Sequence, residues 1–108
     1  MRTLIATTAL ALAMSGAYAQ SVDVSAAEGL MKKSGCFKCH AVAAKKDGPS
    51  YKSVAEKYKG KPDAVAALTK HITTGPTVKI DGKEEKHEII KTKDDAEIKN
   101  VVAFILSR

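Results

Sequence analysis

Residues 36–40 read Cys36-Phe37-Lys38-Cys39-His40. Two cysteines two residues apart, with a histidine directly after the second, form C-x-x-C-H, the attachment signature of haem c. The chemistry needs these residue types at this spacing. Each thiol adds across one of the two vinyl groups of haem, and the two intervening residues let the sulfurs reach adjacent edges of one ring. The following histidine then stands beneath the iron as its proximal ligand. Cys36 and Cys39 are therefore the expected points of covalent attachment, and His40 the expected proximal iron ligand.

Three other readings of the same residues compete. A thioredoxin-like redox pair also uses C-x-x-C, but no βαβ pattern surrounds this one. A structural zinc site wants about four ligands, and two cysteines with three scattered histidines make a poor set. A simple disulfide is the usual use of two cysteines in an exported protein, but it has no need of His40.

Upstream of the motif the chain carries the three parts of a secretory signal peptide. Met1-Arg2-Thr3 gives a positive start, Leu4 to Met14 is apolar apart from two threonines, and Ala17-Tyr18-Ala19 reads as a small-x-small cleavage site. The apolar run is shorter than the roughly 20 residues that span a bilayer. Residues 1–19 are thus expected to be a leader cleaved after Ala19. Residues 20–108 would be the mature protein: a single periplasmic domain, monomeric, with no membrane anchor. A domain this small buries little surface and often relies on a cofactor. Its aromatic side chains are only Phe37, Tyr51, Tyr58 and Phe104, with no tryptophan, so a buried macrocycle would supply apolar volume that the chain lacks.

The formal net charge is +6 at pH 7, from 18 lysines and arginines against 12 acidic residues. The lysines are scattered and no aromatic residues interleave with them, which argues against nucleic acid. Solubility and docking to an acidic redox partner are both served by such a surface.

Helical signals fill most of the remainder. Ser25-Ala26-Ala27-Glu28 reads as a capping box, with a helix from about Ala26 to Ser34 stopped by Gly35. Ser50 caps a second helix, in which Tyr51, Val54, Ala55 and Tyr58 share a face, and Gly60 ends it. Pro62 and Asp63 open a third, with Val65, Leu68 and Ile72 as its stripe and Gly75-Pro76 as its stop. Thr77 to Lys93 has no helical period, and Asp81-Gly82 marks a turn able to seat a small hairpin. Asp94-Asp95-Ala96-Glu97 starts a last helix with Ile98, Val101, Val102 and Ile105 at helical spacing. The fold class is all-α: a compact bundle of about four short helices around one covalently bound haem.

With these residues in place, the sequence resembles the class I cytochromes c, close to the small bacterial c-551 and c8 types, over nearly all of residues 20–108. Gly35 to His40 matches the family's attachment site, and Gly48-Pro49 stands where the family carries a Gly-Pro. The resemblance implies that the Pro49 carbonyl accepts a hydrogen bond from His40 and so orients it. It also implies a crossing of the first and last helices through Gly29 and Phe104. The departure is the second axial ligand. Where the family has a methionine before the last helix, this chain has none. Met31, which lies in the first helix, is the one methionine of residues 20–108. His87 stands at nearly the missing methionine's place and is the expected distal iron ligand, with His71, Lys86 or an open position as rivals. Ile89 and Ile90 are expected to cover the haem face there.

Bis-histidine ligation implies a one-electron carrier, not an enzyme, whose potential lies below that of His/Met relatives. The alternative is a gas-binding or sensing haem protein with a labile or open distal site. A small peroxidase would need both an open iron face and a positioned acid–base group, and one spare histidine cannot serve both purposes. Lys32, Lys33 and Lys38, near the attachment site, are candidates for steering an acidic redox partner.

Overall fold

The structure, a computed structural model, describes residues 21–108; the leader expected at residues 1–19 falls outside the described residues. Among the described residues the elements run α1 (Val24–Lys33), α2 (Tyr51–Tyr58), α3 (Ala64–Thr74), β1 (Thr77–Ile80), β2 (Lys83–Lys86) and α4 (Asp95–Leu106), with one 3₁₀ turn at Cys36–Lys38. The bundle is mostly helical, as the sequence leads one to expect, and the small sheet sits in the stretch without helical period.

Local chemistry explains the element ends. α1 begins two residues earlier than the Ser25 capping box suggests, because Asp23 is the N-cap and its carboxylate accepts from the Ala26 N–H at 3.0 Å. Asp23 is favoured over Ser25 because its backbone is already tied to α4. Its N–H donates to Asn100 Oδ1, and its carbonyl accepts from Asn100 Nδ2, both at 2.9 Å. Ser50 caps α2 by accepting from the Ser53 N–H, and Asp94 caps α4 by accepting from the Glu97 N–H. Gly35, at φ 76°, turns the chain from the end of α1 straight into Cys36, a conformation that costs glycine little.

α4 is the spine. Ile98, Val101, Val102, Phe104 and Ile105 on it are buried, and α1, α2 and α3 all pack against it. The α1–α4 crossing runs through Ala27 and Met31, one helical turn apart and both fully buried, and not through Gly29 as the resemblance implies. Gly29 lies on the exposed face of α1, where an added Cβ would meet nothing within 4 Å. Phe104 is fully buried in the core, as expected of either role. On α3 the expected stripe holds at Leu68 and Ile72, but Ala64 is buried in place of Val65, which is 51% exposed.

The hairpin pairs Thr77 with Lys86, Val78 with Glu85, Lys79 with Glu84 and Ile80 with Lys83. Asp81 (φ 51°) and Gly82 (φ 78°) form its two-residue turn, the pattern that suits the right-handed twist of the strands. From β2 the chain returns to the bundle through two anchors. The Ile90 N–H donates to the Ile72 carbonyl at 2.9 Å, and the Lys91 N–H donates to Ser34 Oγ at 2.9 Å.

Two substitutions test this packing in the haem-loaded protein by chemical denaturation. Phe104→Ala leaves a cavity and is expected to cost about 3–5 kcal/mol. Gly29→Ala should instead stabilise by roughly 0.5–1 kcal/mol, as at an open helix position; a loss would mean that the crossing does run through Gly29.

Candidate haem-binding site

Between α1, α2, α3, the hairpin and α4 lies a cleft of about 530 Å³, within the roughly 300–1,000 Å³ usual for ligand sites. Met31, Leu68, Ile90, Val101 and Ile105 line it and belong to the buried core at the same time. Cys36, Cys39, His40, Pro49, His71, Lys86 and His87 also line it, so the topology brings the candidate attachment and ligand residues to one cavity.

One wall is built from the C-x-x-C-H turn. The His40 N–H donates to the Cys36 carbonyl at 3.0 Å, and the Gly48 N–H to the Cys39 carbonyl at 2.7 Å. These bonds fold the Ala41–Asp47 loop back beneath the motif. His40 Nδ1 lies 2.7 Å from the Pro49 carbonyl oxygen. A carbonyl can only accept, so Nδ1 carries the proton and Nε2 keeps its lone pair. The ring stacks on Tyr51 at a centroid distance of 5.1 Å and a plane angle of 27°. Gly48 closes the other side: a Cβ there would fall 2.5 Å from His40 Cε1.

The opposite wall carries His87, half-buried and first in the chain after β2. Its N–H donates to the Pro76 carbonyl at 2.9 Å. Its own carbonyl lies so close to Gly75 that a Cβ there would come within 2.6 Å of it. His87 Nδ1 lies 2.8 Å from the Glu88 carbonyl, which again leaves Nε2 with its lone pair. The His40 and His87 ring centroids are 6.0 Å apart. His71, on α3, packs edge-on against His87 at 4.3 Å between centroids. Ile90 is buried against the cleft, whereas Ile89 is 43% exposed and does not line it.

Three features of the site are not read from the sequence: the Tyr51 stack, the Glu88 carbonyl and the approach of Gly75 to His87. Tyr51 reads only as one of four apolar helix positions. Gly75 reads only as a helix stop, although its left-handed φ of 60° hints at a tight passage.

The electrostatics follow burial. The Cys36 thiol is pushed up from its ordinary pKa, mainly by burial. The Tyr51 phenol is raised by burial and then by the neighbouring Cys36. The His71 imidazole is lowered by burial, then by the positive charge that His87 and His40 would carry. The cleft thus disfavours charge on Cys36, Tyr51 and His71.

The donor set fits haem. Two half-buried free thiols stand at one edge, most of the lining surface is apolar, and the His40 and His87 imidazoles stand across the space from each other. Among the described residues no group of three or more His, Cys, Asp and Glu is placed to hold a metal ion.

Comparison with known proteins points the same way. A family model described as cytochrome c matches residues 24–108. Cytochrome c-552 of Hydrogenobacter thermophilus is 50% identical over 48 residues, a match spanning 44% of this chain and about half (49%) of that protein. Cytochrome c2 of Rubrivivax gelatinosus is 38% identical over 78 residues, 71% of this chain and 91% of that protein. Among solved structures, the class 1 cytochrome MtoD from Sideroxydans lithotrophicus superposes with a TM-score of 0.77 at 54% identity, covering 81% of this chain and 97% of that one.

Gly48→Ala should push the His40 ring off the Pro49 carbonyl. The expected cost is about 1–3 kcal/mol, as for overpacking elsewhere, read as lowered denaturation resistance of the haem-loaded protein together with a perturbed haem absorption spectrum. A variant with the parental spectrum and stability would show that Gly48 does not constrain the ring.

Proposed function

The chain belongs to the cytochrome c family, and on that premise we propose that it is an exported one-electron carrier whose single haem c is held between His40 and His87. Haem supplies a ferric/ferrous couple when bound. The protein's own residues attach it, fix the two imidazoles and keep water from its faces. Cys36 and Cys39 are the thioether residues. His40 is the proximal ligand, with Pro49 setting its tautomer and ring plane.

The observation that carries His87 as the distal ligand is its pairing with His40. Both Nδ1 atoms are engaged by backbone carbonyls, so both Nε2 lone pairs are available, and the centroids stand 6.0 Å apart. At that spacing both Nε2 atoms would be able to reach one metal ion with metal–nitrogen bonds of about 2 Å. A carbonyl accepting from the far nitrogen is the usual support for a metal-bound histidine, because it fixes the ring and raises its basicity. Two ligands held in this way change little between oxidation states, which favours rapid electron transfer. Imidazole in place of thioether sulfur also gives up the preference for ferrous iron that methionine provides, so the potential falls below that of His/Met relatives.

Export to the periplasm rests on the leader at residues 1–19. No helix among the described residues is long and apolar enough to cross a membrane. Lys32, Lys33 and Lys38 are exposed around the attachment turn, and they favour an acidic redox partner.

Absorption spectra of the oxidised and reduced haem-loaded protein test the ligation. Low-spin bands in both states, with no sulfur-to-iron charge-transfer band and no response to carbon monoxide, are expected; a prompt carbon monoxide shift would refute it. His87→Ala should open the iron to carbon monoxide. His87→Met should raise the potential on the order of 0.1 V, within the roughly 0.8 V range that axial ligands span. Electron transfer to an acidic partner should slow as ionic strength rises; a rate indifferent to salt would exclude steering by the lysines.

A further inference from the structure

We infer that the Asp81-Gly82 turn is a positioning device for the distal ligand: it sets the register of β2 and thereby the face on which His87 is presented. The inference rests on His87 ligation as proposed above.

The two strands are anchored unequally. On β1, Val78 and Ile80 are half-buried and line the cleft, so that strand is held by packing. All four residues of β2, Lys83-Glu84-Glu85-Lys86, are exposed. With one face of a strand buried, register is strongly specified; without that, it slips readily, and a slip of one residue turns every side chain to the opposite face. The placement of β2 is therefore borrowed through the ladder from β1, and the ladder is started by the turn.

His87 extends that ladder. Thr77 pairs with Lys86, and one step further the His87 N–H donates to the Pro76 carbonyl at 2.9 Å. Its side chain thus inherits the alternation counted from Ile80↔Lys83. The count stays right only if the loop has two residues, and Asp81 and Gly82 both have positive φ, as the tight two-residue turn requires. At Gly82 a Cβ would meet nothing within 4 Å, so any sensitivity there comes from backbone conformation and not from crowding. The competing constraint is downstream, where the Ile90 N–H is tied to the Ile72 carbonyl. Two residues, Glu88 and Ile89, separate that anchor from His87, enough slack for the imidazole to face either way.

Three full-length, haem-loaded proteins decide the matter: the parent, a variant with one glycine inserted between Gly82 and Lys83, and Asp81→Asn. The insertion should cost the parental low-spin spectrum, confer carbon monoxide binding on the reduced protein and shift the potential. The helical circular dichroism should stay unchanged, since α1 to α4 make no use of the turn. Asp81→Asn, which gives the Asn-Gly pair favoured in such turns, should keep the parental spectrum and potential. Gly82→Val, with a β-branched residue forced to positive φ, should repeat the effect of the insertion if the inserted chain fails to take up haem. A parent closed to carbon monoxide together with equally closed insertion and Gly82→Val variants would overturn the turn's role and assign His87 to the Ile90 anchor. A parent already open to carbon monoxide would overturn the His87 reading itself.

Discussion

The 2.7 Å hydrogen bond from His40 Nδ1 to the Pro49 carbonyl spans nine residues of sequence, yet much of the cleft is arranged around it. It requires the loop after the motif to return beneath the ring, which Gly48 permits by presenting no side chain there. The return brings Ser50 to the start of α2, and the first residue of that helix, Tyr51, is thereby laid on the other face of the imidazole. One histidine is thus clamped by a carbonyl, a bare backbone and an aromatic ring. With the two cysteines one turn away, the plane of any group bound to its Nε2 is set before the remainder of the fold contributes.

The helices do not form a core that then happens to have a groove. Met31, Leu68, Ile90, Val101 and Ile105 serve core and cleft at once, so filling the cleft completes the burial of side chains already committed to it. This is how a short chain with few aromatic residues reaches a stable interior. Covalent attachment suits this dependence, because a cofactor that cannot dissociate cannot take part of the core with it.

What the sequence made legible is what depends on near neighbours. The C-x-x-C-H run, Gly48-Pro49, the helix caps at Ser50 and Asp94 and the Asp81-Gly82 turn are all rules written within a few residues, and each has its counterpart in the structure. What escaped is which way a helix is rotated once others press on it. Ala27 and not Gly29 packs in the core, and Ala64 and not Val65 is buried, because the inward face of a helix is set by the elements pressed against it as well as by its own periodicity. The Glu88 carbonyl beneath His87 was equally unreadable, since its place depends on backbone path and not on side-chain type. His87 itself was suggested by a missing methionine; in isolation its charged neighbours Lys86 and Glu88 describe a solvated strand.

The two sides of the cleft are built on different principles. The His40 ring is enclosed by side chains and by the covalent motif, so replacing it would disturb packing on several elements. His87 is located almost wholly by backbone: its N–H on Pro76, its carbonyl against Gly75, its Nδ1 on the Glu88 carbonyl, and the following chain pinned to Ile72 and Ser34. A side chain held in this way contributes little to the core. The identity of residue 87 is thus only weakly coupled to the stability of the fold, whereas the direction of its side chain is strongly coupled to the path of the hairpin. A scaffold divided so can keep one architecture and one attachment motif while the residue presented from the hairpin side varies.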